Sequence, residues 1–411
     1  MELTLLGTGA PQGLPRPDCP CAACAVAIGD EARAATALLI DGVLLIDLTP
    51  GPAFAAARAG KSLAGVRQVL LSHPHDGPAL EVPAGVPTPG RVADGRELAL
   101  LDGHRVKALA VDIPGTGYEI TGIAGERLLY LPPGGAPAGL DNGHGNSGGS
   151  PYDMVLLDVL ERPDGLARLR ARGAVDAATD VVAVHIDHGA PPGPELHRRL
   201  AAAGARTVPD GTTLVVGEYH AVPDLPRRTL VLGGARSGKS AEAERRLESF
   251  PDVVYVATGG TREGDTEWAE RIGLHRERRP ASWRTVETCA LVPLLEGEGT
   301  AGPGDLSPLL IDCLALWLTH AMDEVGAWDD DTWEATGRRA LRERIDALAA
   351  AVRAARRPVV AVSNEVGSGV VPATAAGRRF RDELGRLNAA FGAECEQVLL
   401  VVAGQALALR G

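Results

Sequence analysis

The chain has 411 residues, of which 45% are hydrophobic and 23% are charged, and its formal net charge is −12. This composition predicts about two globular domains with hydrophobic cores, and the acidic balance argues against a nucleic-acid-binding surface. No apolar run reaches the ~18 residues of a membrane span, and the opening Met-Glu-Leu-Thr-Leu-Leu predicts a strand, not a signal peptide. We therefore expect a soluble, cytoplasmic enzyme that acts on small molecules.

Cysteines are clustered near the start of the chain. Cys19, Cys21 and Cys24 lie within one short stretch and make up half of the six cysteines in the sequence. Such crowding indicates metal ligation in a reducing compartment and does not resemble a disulfide framework. Buried free thiols are the alternative interpretation.

The first half of the chain resembles the metallo-β-lactamase fold, and most nearly the phosphodiesterases of phosphonate metabolism. The segments that carry the resemblance are Leu6-Gly7-Thr8-Gly9-Ala10, Cys19-Pro20-Cys21-Ala22-Ala23-Cys24 and Leu70-Leu71-Ser72-His73-Pro74-His75. The resemblance implies an αββα sandwich and a residual metal site at His73, His75 and His185. It also implies a structural Cys₃His zinc site, formed by Cys19, Cys21, Cys24 and His188.

The first half also departs from that family at the residues that would hold a metal pair. Asp76-Gly77-Pro78 follows His75 where the family has an Asp-His pair, and a ligand histidine is replaced near Asp112. Pro132-Pro133 stands where the bridging aspartate would follow the strand from Arg127 to Leu131. A two-metal centre needs that carboxylate to activate water, so we expect a degenerate active site.

A proline-marked connector, Ala221 to Arg228, separates two halves that each alternate strand-like and helix-like segments. We place the domains at residues 1–224 and 228–411.

The second half begins with a phosphate-binding motif. Gly233-Gly234-Ala235-Arg236-Ser237-Gly238-Lys239-Ser240 fits G-x-x-x-x-G-K-[ST], between a strand at Arg228–Leu232 and a helix whose start we place at Ala241 to Leu247. In such loops backbone N–H groups surround phosphate, the lysine reaches the terminal phosphates and the serine ligates Mg²⁺. Lysine occurs only three times in the chain, and one of the three is Lys239. A glycine-rich turn before a helix is the alternative.

Three further strand-like runs end in polar residues or glycine: Val253 to Gly259, Leu309 to Asp312, and Val359 to Gly367. This pattern predicts an open, mainly parallel sheet whose strand C-termini build one ligand site. Asp312 is placed like the second acidic residue of a phosphate-loop NTPase, which holds Mg²⁺ directly or through water.

An unusual basic cluster lies between the first two of these runs. His275 is followed by Arg276, Glu277, Arg278 and Arg279. Arginines at this spacing can clamp a triphosphate, and their field favours the neutral imidazole that attacks phosphorus. A solvated basic helix face is the alternative.

With these motifs, residues 228–411 resemble the bifunctional adenosylcobinamide kinase/adenosylcobinamide-phosphate guanylyltransferase family. The match also includes Trp283, Trp317-Leu318-Thr319, Ser363-Asn364-Glu365-Val366-Gly367 and Gly377-Arg378-Arg379-Phe380. The resemblance implies that ATP or GTP phosphorylates adenosylcobinamide. GTP then guanylylates His275, and the phosphorylated product takes the GMP to give adenosylcobinamide-GDP.

The resemblance assigns catalysis to His275 and Lys239 and magnesium to Ser240 and Asp312. It places nucleotide contacts at Gly233 to Ser240, Ala257, Thr258, Gly259, Arg276, Glu277, Arg278, Arg279, Glu287 and Asp312. It also implies a small homo-oligomer, possibly a trimer.

Three hypotheses follow. The chain is a kinase and guanylyltransferase with a catalytically decayed first domain; or that first domain is also an active metal-dependent phosphoesterase; or the chain is a nucleotide-binding regulatory protein without phosphoryl transfer.

Overall fold

A computed structural model describes residues 1–74, 81–138, 150–218, 226–259, 279–297 and 306–411. The chain forms two compact units, Met1–Leu225 and Pro226–Gly411, called here the N-terminal and C-terminal units. No helix in the described part of the chain has both the length and the apolar composition needed to cross a bilayer.

The N-terminal unit contains two sheets. The strands of the first sheet are β1 (Glu2–Gly7), β2 (Ala37–Ile40), β3 (Leu44–Ile46), β4 (Gln68–Leu70) and β11 (Thr213–Val215), in the order β11-β1-β2-β3-β4. The strands of the second are β5 (Glu97–Ala99), β6 (Arg105–Ala110), β7 (Thr116–Thr121), β8 (Arg127–Tyr130), β9 (Met154–Leu157) and β10 (Asp180–Ala183), in the order β10-β9-β8-β7-β6-β5. The helices are α1 (Ala22–Val26), α2 (Pro52–Arg58), α3 (Pro163–Ala171) and α4 (Pro194–Ala202), with a 3₁₀ turn at Gly29–Glu31.

Alternating side chains explain how the two sheets pack. Leu3 and Leu5 of the first sheet share one buried cluster with Leu128 and Tyr130 of the second, so the sheets lie face to face. The intervening residues point outward: Leu129 contributes to a cluster that includes residues of α3 and α4, and another cluster joins the first sheet to α2. The predicted αββα layering is confirmed.

The C-terminal unit is built on one seven-stranded sheet. Its strands are β12 (Arg228–Gly233), β13 (Val254–Ala257), β14 (Arg284–Glu287), β15 (Leu309–Asp312), β16 (Val359–Asn364), β17 (Gln397–Val402) and β18 (Gln405–Arg410), in the order β14-β13-β15-β16-β12-β17-β18. Every neighbouring pair is parallel except β17 with β18, so the mainly parallel sheet predicted for this half is confirmed.

Helices connect and cover the strands of this sheet. They are α5 (Lys239–Arg245), α6 (Leu291–Leu295), α7 (Leu314–Glu324), α8 (Asp330–Thr332), α9 (Arg338–Ala354) and α10 (Ala375–Ala393), with a π-helical segment at Trp333–Gly337 between α8 and α9. The five inner strands are buried on both faces, as their Val/Leu/Ile-rich runs predict for a parallel sheet, whereas the edge strands β14 and β18 are partly exposed.

One helix boundary differs from the sequence prediction. The sequence places the start of the helix after the phosphate motif at Ala241 to Leu247, whereas α5 spans Lys239–Arg245. Gly238 precedes it with φ +97°, a conformation that glycine adopts without steric cost, so the helix begins at once after the loop.

Candidate functional site

The phosphate motif forms a loop between β12 and α5. Gly234, Ala235 and Arg236 are exposed at its outer side, whereas Lys239 is buried, and the Lys239 ammonium donates to the carbonyl of Gly234 at 3.2 Å. The loop therefore presents its backbone to solvent with a cation held directly beneath it, which is the arrangement that an anionic phosphate group requires.

Hydrogen bonds from other elements fix the base of this loop. The amide of Glu365, after β16, donates to the carbonyl of Gly233 at 3.1 Å. On the other side, the amide of Gly404, in the turn between β17 and β18, donates to the carbonyl of Ser237 at 3.0 Å. The loop is thus held at both ends by the two strands that flank β12.

The register of the parallel strands brings the predicted polar residues to one edge of the sheet. Gly233 pairs with Asn364, while Ala257 pairs with both Asp312 and Glu287. Since all these positions are at or near the carboxyl ends of their strands, the phosphate loop, Asp312 and Glu287 lie along the same edge. That edge is where ligands bind in open α/β sheets.

One residue of this edge was missed by the sequence reasoning. The hydroxyl of Tyr255 donates to Asp312 Oδ2 at 2.9 Å, and the guanidinium carbon of Arg279 lies 3.6 Å from the centre of the Tyr255 ring. Burial raises the pKa of Tyr255 well above its usual value, so the phenol keeps the proton that it donates. Tyr255 therefore contacts two of the predicted site residues at once.

The side chain of Thr258, a predicted nucleotide contact, is already engaged in hydrogen bonds within the protein. Its hydroxyl is buried, donates to the carbonyl of Cys313 at 2.7 Å and accepts the amide of Cys313 at 2.9 Å. The side chain thus ties the end of β13 to the end of β15, and the Thr258 amide, which donates to the Asp312 carbonyl at 3.2 Å, strengthens the same link.

An open cavity of about 520 Å³ lies at this edge of the sheet. Its lining residues are Ala257, Thr258, Gly259, Glu287, Thr288, Cys289, Leu316, Thr319, His320 and Asp323. Four of them are predicted nucleotide contacts, and Thr319, His320 and Asp323 add polar groups from α7. The volume of the cavity lies in the range of small-molecule sites, and several of its lining side chains are polar.

Part of the predicted site lies outside the described residues. This part comprises His275, Arg276, Glu277 and Arg278, and their predicted roles stay predictions. Of that basic cluster the structure describes Arg279.

The C-terminal unit matches a known protein family. Residues 229–409 match the family described as cobinamide kinase / cobinamide phosphate guanyltransferase. A relative from Pseudomonas aeruginosa, the bifunctional adenosylcobalamin biosynthesis protein CobP, is 44% identical over 187 residues, which are 45% of this chain and 98% of that protein. The chain belongs to this family.

Two further relatives of the cobinamide kinase / guanyltransferase family cover the same part of the chain. Both are named bifunctional adenosylcobalamin biosynthesis protein CobU. The protein from Salmonella typhimurium is 39% identical over 180 residues, which are 43% of this chain and 95% of that protein. The protein from Escherichia coli is 39% identical over 178 residues, with the same two shares.

Outside the part that matches this family, the N-terminal unit brings the four predicted zinc ligands together. The ligand atoms of Cys19, Cys21, Cys24 and His188 all lie within 4.8 Å of one another. The three sulfurs are 3.2, 3.7 and 3.8 Å from His188 Nδ1. A tetrahedral zinc with ordinary Zn–S and Zn–N bonds separates such atoms by about 3.6 Å, so the donor set and its spacing fit this ion.

Neighbouring groups favour the binding of a cation by this cluster. The amide of Cys24 and the thiol of Cys19 lower the pKa of Cys21 to about 7, which favours the thiolate that binds metal. Arg16 donates its amide to the Cys24 sulfur at 3.4 Å and pairs through its guanidinium with Asp187, next to His188. The ion pair thereby links the cysteine loop to the segment that carries the histidine.

The residual histidine site has a polar interior of its own. Asp47 is buried and accepts the amide of Ser72 at 2.7 Å, the hydroxyl of Ser72 at 2.5 Å and the hydroxyl of Tyr130 at 2.7 Å. Burial opposes the charged carboxylate, yet His73, whose Nδ1 lies 3.6 Å from Oδ2, and the hydrogen bonds from Ser72 outweigh it and lower the pKa of Asp47. The carboxylate charge is therefore stabilised by groups of the protein itself.

The two described histidines of that site have different hydrogen-bond partners. His73 Nδ1 contacts the hydroxyl of Ser72 at 3.0 Å, and His185 Nε2 donates to the carbonyl of Leu131 at 3.0 Å. Burial lowers the pKa of His185 to about 4, so its ring is neutral. His75 lies outside the described residues, and the three-histidine site stays a prediction.

The position near Asp112 does not fit a metal ligand. Its carboxylate pairs with Arg162 at 2.7 Å and with Arg168 at 3.1 Å, and the bond to Arg162 lowers its pKa to about 2. Two guanidinium groups beside a carboxylate repel a divalent cation. Together with Pro132-Pro133 at the bridging position, this set of described residues does not fit a two-metal centre.

Two solved structures are similar to part of this chain. A diphosphatase from the PhnP family matches with a TM-score of 0.39 and 20% identity, over 54% of this chain and 99% of that one. Zinc-bound PqqB from Methylobacterium extorquens matches with a TM-score of 0.38 and 17% identity, over 52% of this chain and 100% of that one.

Proposed function

We propose that the C-terminal unit phosphorylates adenosylcobinamide with ATP or GTP and then transfers GMP from GTP to the product, giving adenosylcobinamide-GDP. The observation that carries this proposal is the 44% identity to a bifunctional adenosylcobalamin biosynthesis protein over 98% of that protein's length. The phosphate loop, Asp312 and the cavity support it, since they lie at one edge of the sheet.

Phosphoryl transfer depends mainly on positioning and charge neutralisation. The exposed backbone from Gly234 to Arg236 would hold the phosphates, and Lys239 would shift from the carbonyl of Gly234 to a terminal phosphate oxygen. The Ser240 hydroxyl and the Asp312 carboxylate are the hard oxygen donors that Mg²⁺ prefers. When bound there, the ion would neutralise charge that develops on the transferred group.

Guanylyl transfer is proposed to proceed through His275. A ring nitrogen of this histidine would attack the α-phosphorus of GTP, forming a P–N bond as the bond to pyrophosphate breaks. A phosphate oxygen of the cobinamide phosphate would then attack the same phosphorus and break the P–N bond. Covalent catalysis divides one nucleotidyl transfer into two easier displacements.

The cavity supports the nucleotide assignment at the other end of the edge. Glu287 is exposed there and can accept N–H or O–H donors of a base or ribose. Gly259 and Thr258 line the same space. Arg279, held against Tyr255, is the described member of the basic cluster through which pyrophosphate would leave.

For the N-terminal unit we propose a structural zinc site and no hydrolase activity. Cys19, Cys21, Cys24 and His188 form a closed set of four donors, which is typical of structural zinc. We also propose that the protein is a cytoplasmic homo-oligomer, possibly a trimer. None of the six cysteines, all of which the structure describes, is in a disulfide, which is consistent with a reducing compartment.

The test supplies purified protein with adenosylcobinamide, ATP and Mg²⁺, and then with GTP, and follows the corrinoid by mass spectrometry. We expect first a gain of one phosphate and then the GDP derivative with release of pyrophosphate. His275→Ala should keep the first step and abolish the second. The exposed His197→Ala, in the other unit, is the matched control and should keep both. Absence of phosphate transfer by the wild type would overturn the proposal.

A further inference from the structure

Tyr255 contacts two residues of the candidate site without having been assigned to it. It faces the same side of the sheet as Asp312, because Tyr255 pairs with Leu310 and Ala257 pairs with Asp312 in parallel register. Side chains two residues apart point to the same face, so Tyr255 and Asp312 are diagonal neighbours. Their hydrogen bond of 2.9 Å follows from this register.

The same face also carries the arginine of the basic cluster. Thr285 of β14 pairs with Tyr255 on its other side, and Arg279 lies over both, with Nη1 at 3.5 Å from the Thr285 hydroxyl. The guanidinium stacks on the Tyr255 ring at 3.6 Å from its centre. A ring that is 7% exposed thus holds one cation and one carboxylate in fixed positions.

We propose that Tyr255 is a positioning residue that aims Asp312 at Mg²⁺ through its hydroxyl and holds Arg279 for the phosphates through its ring. This inference rests on the proposed function of the C-terminal unit. The bond to Tyr255 occupies Oδ2 of Asp312 and leaves Oδ1 for the ion or for one of its waters. Groups that orient metal ligands in this way affect metal affinity strongly.

Two substitutions separate the two tasks. Tyr255→Phe removes the hydroxyl and keeps the ring, so Asp312 loses its fixed orientation while Arg279 stays in place. Tyr255→Leu removes both. The matched control is Tyr118→Phe in the N-terminal unit, where another buried tyrosine donates to the carbonyl of Leu71 at 2.8 Å. Thermal unfolding of each variant checks that the fold is retained.

The measurement is the dissociation constant, by calorimetry, of the α,β-methylene analogue of GTP, which cannot transfer GMP to the protein, with saturating Mg²⁺ and with EDTA. The dissociation constant in EDTA divided by the dissociation constant in Mg²⁺ reports how strongly Mg²⁺ supports binding, independently of turnover. We expect Tyr255→Phe to reduce that ratio about tenfold, the effect of one hydrogen bond to a charged group, and to leave the affinity in EDTA unchanged. Tyr255→Leu should also weaken binding in EDTA several-fold. Tyr118→Phe should change neither constant.

A double-mutant cycle with Asp312→Asn distinguishes positioning from general stabilisation. If Tyr255 acts through Asp312, adding Tyr255→Phe to Asp312→Asn changes the ratio by less than about twofold. The proposal is overturned if the two effects multiply, if Tyr255→Phe keeps the wild-type ratio, or if wild-type binding does not respond to Mg²⁺. Failure of the proposed function would instead appear as a wild type that transfers neither phosphate nor GMP to the corrinoid.

Discussion

At the residue scale, Asp158 gives the clearest link between burial and stability. It is 6% exposed, and burial raises its pKa to about 6. The pKa of an aspartate in an unfolded chain is about 3.9. The folded state therefore binds the proton more tightly. This contribution to stability is fully present below about pH 4 and is lost as the pH rises through 6.

We predict that Asp158→Asn raises the free energy of unfolding of the N-terminal unit at pH 7.5 by about 1–2 kcal/mol, because the neutral amide needs no ionisation in a buried site. Its oxygen can still accept the amide of Glu161, as the carboxylate does at 3.0 Å. Urea unfolding at pH 7.5 and pH 4 measures the effect, which should nearly vanish at the lower pH. Equal free energies of unfolding for the wild type and Asp158→Asn at pH 7.5 would contradict this prediction.

A second residue-scale prediction concerns the zinc ligands. Cys24→Ser should abolish the binding of a single zinc ion and lower the thermal stability of the N-terminal unit, because a structural zinc contributes directly to folding. Cys289→Ser, a free thiol of the C-terminal unit, is the matched control and should retain the metal. Zinc is measured by elemental analysis of dialysed protein. A Cys24→Ser protein that keeps its zinc would show that the cluster does not hold it.

Two side-chain contacts, one in each unit, could not be predicted from the sequence, because the residues that form them are distant in the chain. Asp312 lies 57 residues after Tyr255, and Tyr130 lies 83 residues after Asp47. Each contact depends on strand register, which composition and local pattern do not specify. The one available signal was the spacing of Tyr255 and Ala257, which shows that they share a face of β13 but not what lies opposite.

At the scale of elements, the phosphate loop depends on the backbone of one glycine. Gly238 has φ +97°, and a side chain in that conformation is strained. We predict that Gly238→Ala lowers the free energy of unfolding of the C-terminal unit by about 1–2 kcal/mol and weakens GTP binding at least about tenfold, since the loop can no longer hold its shape.

The matched variant for this prediction is Gly234→Ala in the same loop. A Cβ at Gly234 would meet nothing within 4 Å, so the free energy of unfolding should change by less than about 0.5 kcal/mol. Chemical denaturation and calorimetry with GTP provide the two measurements. A Gly238→Ala protein with wild-type affinity for GTP would refute the role given to this backbone.

Local patterns predicted several elements because their signals are local. The strand predicted at Arg228–Leu232 is observed at Arg228–Gly233, and the run from Leu309 to Asp312 is a strand over those same residues. The helix after the loop begins at Lys239, two residues before the predicted Ala241, because motif spacing does not reveal that Gly238 is the residue that caps the helix.

At the scale of the whole molecule, the C-terminal unit, Pro226–Gly411, includes all the residues of the family match. Its core is also a single cluster of its own residues. We predict that a protein comprising residues 226–411 folds and carries out both transfer steps. Circular dichroism and the corrinoid assay test this, with the full chain as reference. Loss of either step in a folded fragment would show that the N-terminal unit takes part in the chemistry.

The most direct test of the account is covalent labelling. Protein is incubated with Mg²⁺ and GTP labelled in the α-phosphate, denatured and digested, and the labelled peptide is identified. We predict acid-labile, alkali-stable label on the peptide that contains His275, and none in His275→Ala. A protein that binds GTP but acquires no label would contradict guanylyl transfer through this histidine and leave a kinase or a nucleotide-binding regulator.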